Sequence, residues 1–447
     1  MEVKQFIEEN LENMKQDLGK LVSYNSVLSN DAEPFGLNNR KVLDEALNLM
    51  KEKGFDTTNV DYYCGFGQIG EGEQLIGILA HLDVVPAGDG WSHDPFDMIE
   101  KDGYLFGRGV SDDKGAAVAS MYALKYLLDE KYPFKKRVRL ILGCNEETGS
   151  RCIAHYVSKH GHIDYGFTPD GNFPGIYAEK GMVKGLIKAY DSKIISVNGG
   201  DVSNAVCKRI DAILPENSFD MDKFRHYLDE HEISYEINQE NNIKVTVHGV
   251  SAHASMPDLG VNAFNYFMEA LYHSDFDDTF TNWFHKHFGL TVHGELLGYE
   301  DLKDDITNTS INLGVVTSQN DAIEVTLDMR FPVKTTAEKV RELLNISDEY
   351  NEMVVLGSHE PLYFDVNLPM IKALKKAYED VTGDHETQME AIGGGTYAKS
   401  IKNCIAFGCE FIGEDNHIHN VDERLKIANF KKQVEIYVEA IKNLNEI

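Results

Sequence analysis

Residues 75–83, Leu-Ile-Gly-Ile-Leu-Ala-His-Leu-Asp, decide the fold. A short apolar run of this kind reads as a strand, Leu75–Ala80, of the type buried on both faces. His81 and Asp83 follow at once, so an imidazole and a carboxylate stand at the carboxyl end of that strand. In open α/β sheets, ligands bind in the crevice outside those ends. The flanking sequence agrees with such a sheet. Helices are predicted near Arg40–Lys53, ending at Gly54, and from about Gly115 to Glu130, with Ala116, Ala117, Met121, Leu124, Leu127 and Leu128 on the apolar side. Further strands are predicted at Arg137–Cys144 and Tyr165–Thr168. The order strand, helix, strand argues for an α/β layered domain.

The texture changes after Met182. Ile243–His248 and Ala322–Arg330 alternate polar and apolar residues, as half-exposed antiparallel strands do. Helical stretches, Asn262–Tyr272 and Ala337–Leu344, sit between them. This middle region reads as α+β, a separate sheet with helices on one face. Pro369–Val381 is then predicted helical, Cys404–Ile412 a buried strand and Leu425–Leu444 a closing helix, so the last part is expected to rejoin the first domain.

Acidic and imidazole groups gather where strands end. Asp112-Asp113, in GRGVSDDKG, stand just before a helix. Glu146-Glu147, in NEETGS, end the strand RVRLILGC, and Asp170, in TPDGNFP, ends the strand near Phe167. His419, in HNVDE, follows the strand CIAFGCEFIG. Histidine and carboxylate together suit Zn²⁺ or Mn²⁺. One carboxylate can bridge two cations, and two ions ~3.5–4 Å apart form a hydrolytic clamp. Asp83, two residues past His81, is placed to accept that ring's free N–H and fix its tautomer. Adjacent Glu146 and Glu147 cannot easily both ligate from one direction, so one as ligand and the other as general base is the economical division. A competing signal, Gly65-Phe-Gly67-Gln-Ile-Gly70, fits a dinucleotide fingerprint only as a string. No helix opens on it, and it reads as a hairpin turn.

In order and spacing, HLDVVPAGDGW, GRGVSDDKG, NEETGS, TPDGNFP, GVSAHAS, GGGTYAK and HNVDE resemble the co-catalytic metallopeptidases, the family of aminoacylase, carnosinase, succinyl-diaminopimelate desuccinylase and bacterial dipeptidases. Within that family the chain is most similar to the bacterial dipeptidase V type. The resemblance runs from about residue 10 to 440. It implies an α/β catalytic domain with a mostly parallel sheet flanked by helices, residues 1–182 and 361–447, interrupted by an inserted α+β lid domain with an antiparallel sheet, residues 183–360. It implies two divalent metal ions, Zn or Mn. His81 and Asp170 would hold one, Glu147 and His419 the other, and Asp112 would bridge both, followed by a cis peptide to Asp113. Asp83 would support His81, and Glu146 would be the general base. His253 of the lid would polarise the scissile carbonyl and stabilise its oxyanion. Arg330 would grip a substrate C-terminal carboxylate as a planar fork. Asn204, in the looser match GGDVSNAV, would assist on the carbonyl. Gly394, Gly395 and Thr396, after Gly393, would let substrate approach the backbone. Two histidines, His417 and His419, compete for one ligand position, and Asp422-Glu423 at the family offset select His419.

The implied activity is hydrolysis of dipeptides with a free C-terminal carboxylate. The alternatives on the same site are N-acyl-amino-acid deacylation and carboxypeptidase trimming. A non-catalytic binding protein would lack the base or a ligand, and here every expected position is filled. The long lid resembles that of forms in which it mimics a partner subunit, so an active monomer is expected, with lid closure positioning the substrate.

Composition sets the outer bounds. The chain has 447 residues, long enough to bury a core without disulfide or metal staples. Its formal charge of −30 repels phosphate backbones and anionic membranes, so neither nucleic acid nor membrane is an expected partner; small peptides are. No stretch approaches the ~20 apolar residues of a membrane span. The N-terminal segment, with Val3, Phe6, Ile7, Leu11, Met14, Leu18 and Leu21 at helical spacing, reads as an amphipathic helix and not a signal peptide, so a cytoplasmic location is expected. Six scattered cysteines without a CxxC pair read as buried thiols.

Overall fold

The computed structural model describes residues 1–299, 302–319 and 322–447. The chain forms two compact units. The first comprises Met1–Tyr177, Phe364–Glu390 and Gly395–Ile447, the second Ala178–Tyr363 with Ala391–Gly394.

In the first unit, Leu75–His81 is buried at every position and pairs in parallel with Arg137–Gly143 on one side and Tyr165–Thr168 on the other. Cys404–Ala406 adds in parallel beyond Tyr165–Thr168. Antiparallel neighbours extend both edges: Cys64–Ile69 and Asp56–Val60 at one, Ile176–Glu179 at the other. The unit's long helices are Val3–Val22, Leu37–Glu52, Lys114–Asp129, Pro369–Thr382 and Ile427–Glu446. Lys114–Asp129 buries nearly its whole circumference, which explains its small alanine-rich sequence. A three-stranded sheet of Ile99–Lys101, Tyr104–Phe106 and Arg424–Lys426 has no counterpart in the sequence reading.

Two expectations fail here. The segment Gly65–Gly70 is no hairpin turn: Cys64–Ile69 is a strand between two partners. Its glycines are packing devices, because a Cβ at Gly65 would meet Leu47 at 2.9 Å and one at Gly67 would meet Met50 at 2.7 Å. The strand expected at Cys404–Ile412 stops at Ala406. Gly408 there has φ +70°, and its position lies against the Phe173 ring, where a Cβ would sit 2.1 Å from a ring atom.

The second unit is an eight-stranded antiparallel sheet in the order Tyr235–Glu240, Asn242–His248, Arg209–Leu214, Ser196–Gly199, Ser310–Gln319, Ala322–Phe331, Gly181–Ala189, Asn351–His359. Alternating burial along Asn242–His248 matches the alternation read from sequence, whereas Ala322–Phe331 alternates only as far as Leu327 and is buried at every position from there on. Helices Met221–Glu230, Ala263–His273 and Thr279–His287 begin at Asp220, Asn262 and Asp278, whose side chains accept first-turn N–H groups. Their apolar faces, with Phe224, Phe264, Phe267, Phe280 and Phe284, join the strands in one core.

The division between units falls at Ala178 and Tyr363, where the sequence reading put 183 and 360. Gly181–Ala189 lies wholly inside the second sheet, ahead of the expected start at 183. Ala391–Gly394 also belongs to this unit, held by the Lys180 N–H donating to Ile392 O. Among the described residues no helix is long and apolar enough to cross a membrane. All six cysteines are buried and none is in a disulfide.

Candidate metal centre and substrate groups

The candidate centre is built from loops at the ends of the parallel strands. His81 is the last residue of its strand and 1% exposed, so its ring is held by protein on all sides. Its Nδ1–H donates to the backbone carbonyl of Asp83 at 2.9 Å. In the neutral ring, Nε2 therefore carries the lone pair, and it faces Asp112 Oδ1 at 2.9 Å. Two lone pairs at that separation need a shared cation, a proton or a metal.

The second imidazole repeats the pattern. His419 Nε2 lies 2.9 Å from Asp112 Oδ2 and 3.2 Å from Glu147 Oε1. Asp112 thus presents one oxygen to each histidine, the disposition a bridging ligand needs. Donor atoms of His81, Asp112 and Glu147 lie within 4.8 Å of one another, as do those of His81, Glu146 and Asp170. His417 points elsewhere, with Nδ1 near Val421 O and Nε2 near Asp415. The Asp112–Asp113 peptide is cis.

Electrostatics show how strongly the pocket favours positive charge. Burial opposes ionisation of Asp112, yet hydrogen bonds from His419 and His81 hold its carboxyl well below the usual range. Hydrogen bonds to Asp112 and Glu147 push His419 up to about 10. Burial works against a charged His81, but the Asp112, Asp83 and Asp113 carboxylates raise it well above its ordinary value. Glu146 is raised well above the carboxylate range, first by burial and then by Asp170. Glu410, unnoticed in the sequence, is pushed up to about 7 by burial and by Asp112 and Asp170. Carboxylates outnumber cations here, and the donor set of imidazoles and carboxylates fits divalent ions.

Asp83 departs from its expected place. Its carboxylate lies 3.6 Å from His81 Nδ1, while its backbone carbonyl makes the hydrogen bond. The two carboxylate oxygens instead accept the backbone N–H groups of Glu146 at 3.0 Å and Glu147 at 3.2 Å. A carboxylate buried beside a turn is better satisfied by two N–H donors than by one ring N–H, and so Asp83 ties the His81 loop to the glutamate turn.

Three supports escaped the sequence reading. Buried Glu423 accepts from Gly109 N–H and Arg108 Nη1 on one oxygen and from Ser111 and Asp112 N–H on the other, fastening the loop that presents Asp112. Asp113 is fully buried, and its Oδ2 accepts the His81 backbone N–H at 3.1 Å. Tyr397 sets its ring edge-on to His81, with its hydroxyl 3.0 Å from Cys152 Sγ. The sequence marked Glu423 only as part of the Asp422-Glu423 pair that selects His419, not as the anchor of the Asp112 loop. Nothing in the sequence marked Asp113 or Tyr397 for support.

The second unit brings other expected residues together. Ala254 N–H donates to Asn204 O, and Ala205 bridges to His253 as in an antiparallel ladder. Asn312 pins that loop by donating to Ser203 O and Ala205 O. His253 Nδ1 accepts the Ser255 N–H at 3.2 Å, so the neutral ring bears its proton on Nε2. Desolvation and the nearby Arg330 lower its pKa. Arg330 is not an open fork. Nε and Nη2 grip Asp328 at 2.6 and 3.0 Å, and Nη1 donates to Gly393 O at 2.6 Å. Those bonds leave two of the five guanidinium N–H groups for a ligand. Gly393 must be glycine, since a Cβ would meet Ser255 Cβ at 2.4 Å, while Gly394 and Gly395 have room for one. Thr396 Oγ1 accepts the Ala398 N–H and caps the turn leading to Tyr397.

A Bacillus subtilis (strain 168) protein named "Putative dipeptidase YtjP" is 32% identical over 453 residues, covering 97% of each chain. A Staphylococcus haemolyticus (strain JCSC1435) protein, SH1171, named in the same way, is 32% identical over 96% of each. Human carnosine dipeptidase 1 has a similar fold, with a TM-score of 0.60 at 16% identity over 100% of this chain and 98% of that one. So does the metallo-carboxypeptidase Sso-CP2 of Sulfolobus solfataricus, with a TM-score of 0.58 at 16% identity over 97% and 99%. Residues 77–443 match the sequence profile of Peptidase family M20/M25/M40, and a match of that span, with relatives so similar along nearly the whole chain, makes this chain a member of that family.

Proposed function

We propose that this metallopeptidase is a dipeptidase, hydrolysing the bond between two residues whose second carries a free carboxylate. The observation that carries the reading is the pair of imidazole nitrogens, each 2.9 Å from its own oxygen of Asp112. His81 and Asp170 would hold one ion, Glu147 and His419 the other, with Asp112 between them. Zn²⁺ and Mn²⁺ both suit these donors. When bound, such ions polarise a carbonyl and lower the pKa of water.

The chain's own groups do the rest. Glu146, raised by burial, takes a proton from the attacking water and delivers it to the leaving amine nitrogen. Asp83 holds Glu146 in place through its backbone N–H. His253 donates from Nε2 to the carbonyl oxygen as negative charge develops, and the Asn204 side chain assists. Arg330 offers its remaining N–H groups to the substrate carboxylate, its plane set by Asp328. Gly394 and Gly395 leave the backbone open to substrate, on a loop fixed by Thr396. We assign the enzyme to the cytoplasm, on its six buried free thiols, and read it as a monomer, on the long inserted unit.

Metal-stripped protein resupplied with Zn²⁺ or Mn²⁺, and given a pool of dipeptides, tripeptides and N-acyl amino acids, tests this by mass spectrometry. Loss of dipeptides alone is expected. Loss of acylated or longer substrates instead would overturn the substrate assignment, and no turnover with either ion would overturn the catalytic one.

A further inference from the structure

The second unit carries a cluster that the peptidase chemistry does not use. Glu269 and His273 lie four residues apart on the helix Ala263–His273, hence on one face. His285 comes from the next helix, Thr279–His287. The Glu269 side chain is 5% exposed, and among the described residues its ion-pair partners are these two imidazoles. His285 Nδ1 lies 2.9 Å from Glu269 Oε2 and 3.1 Å from Oε1. His273 Nε2 lies 3.8 Å from Oε2, outside hydrogen-bond range but aimed at the same oxygen. All three donor atoms fit within 4.8 Å.

A hydrogen bond from His285 accounts for one of these approaches and not for the other. Both rings are also held in place. Tyr272 stacks on His285 with centroids 3.6 Å apart and planes 10° apart, and Tyr227 stacks on His273 at 4.8 Å and 15°. The imidazole centroids are 5.8 Å apart, with planes 86° apart. Zinc binds nitrogen and carboxylate oxygen at about 2.0–2.2 Å in tetrahedral geometry, which sets donors roughly 3.3–3.5 Å from one another. The observed 2.9 and 3.8 Å bracket that spacing. A buried carboxylate between two imidazoles is balanced by a proton on one ring or by a metal ion, and of the two the metal ion engages both rings at once.

We propose that Glu269, His273 and His285 form a divalent-cation site within the second unit, clipping its two helices together. Two imidazoles and one carboxylate select zinc-like ions over Mg²⁺ or Ca²⁺, which take all-oxygen cages. The half-exposed histidines leave a fourth position to water. The proposal does not rest on the dipeptidase reading.

The test is metal stoichiometry of the whole chain, by equilibrium dialysis against micromolar Zn²⁺ and elemental mass spectrometry. Wild type and His285→Ala are compared, with Glu269→Gln as a second variant that keeps the side-chain shape. Each variant is expected to bind one zinc ion per chain fewer than wild type, whatever number the peptidase centre holds. In a chain with His81→Ala and Asp112→Ala, zinc is still expected to raise the melting temperature, and adding Glu269→Gln abolishes that rise. Equal stoichiometry in wild type and in folded Glu269→Gln, as judged by circular dichroism, would overturn the proposal.

Discussion

Glu423 accepts the backbone N–H of Asp112 at 3.1 Å across 311 residues of sequence, while its other oxygen holds Arg108 at 2.8 Å. Both members of this ion pair are 1% exposed. Glu423→Gln leaves the guanidinium without its counter-charge and weakens the N–H bonds that position Asp112. Breaking a buried pair costs about 3–5 kcal/mol, and losing a group that orients a ligand lowers metal affinity roughly 10–100-fold. Denaturant melts and zinc competition with a chelator measure both. Removing both charges, as in Arg108→Leu with Glu423→Leu, is not expected to restore stability, because the backbone N–H groups of Gly109, Ser111 and Asp112 lose their acceptor.

Glu146→Gln and Glu147→Gln are expected to separate two roles. The first keeps metal content and loses about 10²–10⁴-fold in turnover, the range for a general acid–base group. The second loses metal first, since Glu147 stands 3.2 Å from His419. Metal analysis beside steady-state rates distinguishes them, and near-normal turnover in Glu146→Gln would refute the assigned base.

Arg330→Lys is expected to raise KM for dipeptides by roughly ten- to a hundredfold, the worth of a charge-assisted hydrogen bond at ~1.5–3 kcal/mol. C-terminally amidated dipeptides, already lacking the carboxylate, should change far less. Asp328→Asn should produce a weaker version of the same pattern, because it frees the guanidinium plane without removing it. Equal losses on free and amidated substrates would remove Arg330 from the carboxylate role.

Lys180 supplies a pH signature. Burial, reinforced by Arg330, lowers its pKa to about 8, against 10.5 for an ordinary lysine. Between those values the unfolded chain binds a proton that the folded chain does not, so this group makes stability rise with pH. Below pH 8 both states are protonated and its contribution is constant. Unfolding free energies of wild type and Lys180→Met, measured at pH 8 and pH 10, should show wild type gaining relative to the variant at the higher pH.

The clustering of His81 with Glu146, Glu147 and Asp170 was legible because these residues sit where strands stop. The apolar run before His81 and the one before Glu146 announce their own ends, and a polar group at the end of a buried strand stands out against it. Asp170, two residues past Thr168, is legible for the same reason. His419 was legible only through its motif, since the strand thought to lead to it ends at Ala406.

The sequence by itself determined the long helices, the two kinds of sheet, and the residue types gathered at strand ends, because periodicity and apolar runs are local properties of the chain. It misplaced what depends on distant neighbours. Whether Asp83 serves His81 or the Glu146–Glu147 turn is decided by the parallel pairing of Leu75–His81 with Arg137–Gly143, which brings two N–H donors to its carboxylate. Whether Arg330 is an open fork is decided by Asp328 two residues away on the same strand and by Gly393, 63 residues on. Whether a glycine is a turn or a place for another side chain is decided by the helix packed over it, as at Gly65 and Gly67. A side chain's partner is chosen by whichever donor the folded backbone brings within about 3 Å, and that distance exists only once the sheet order is set.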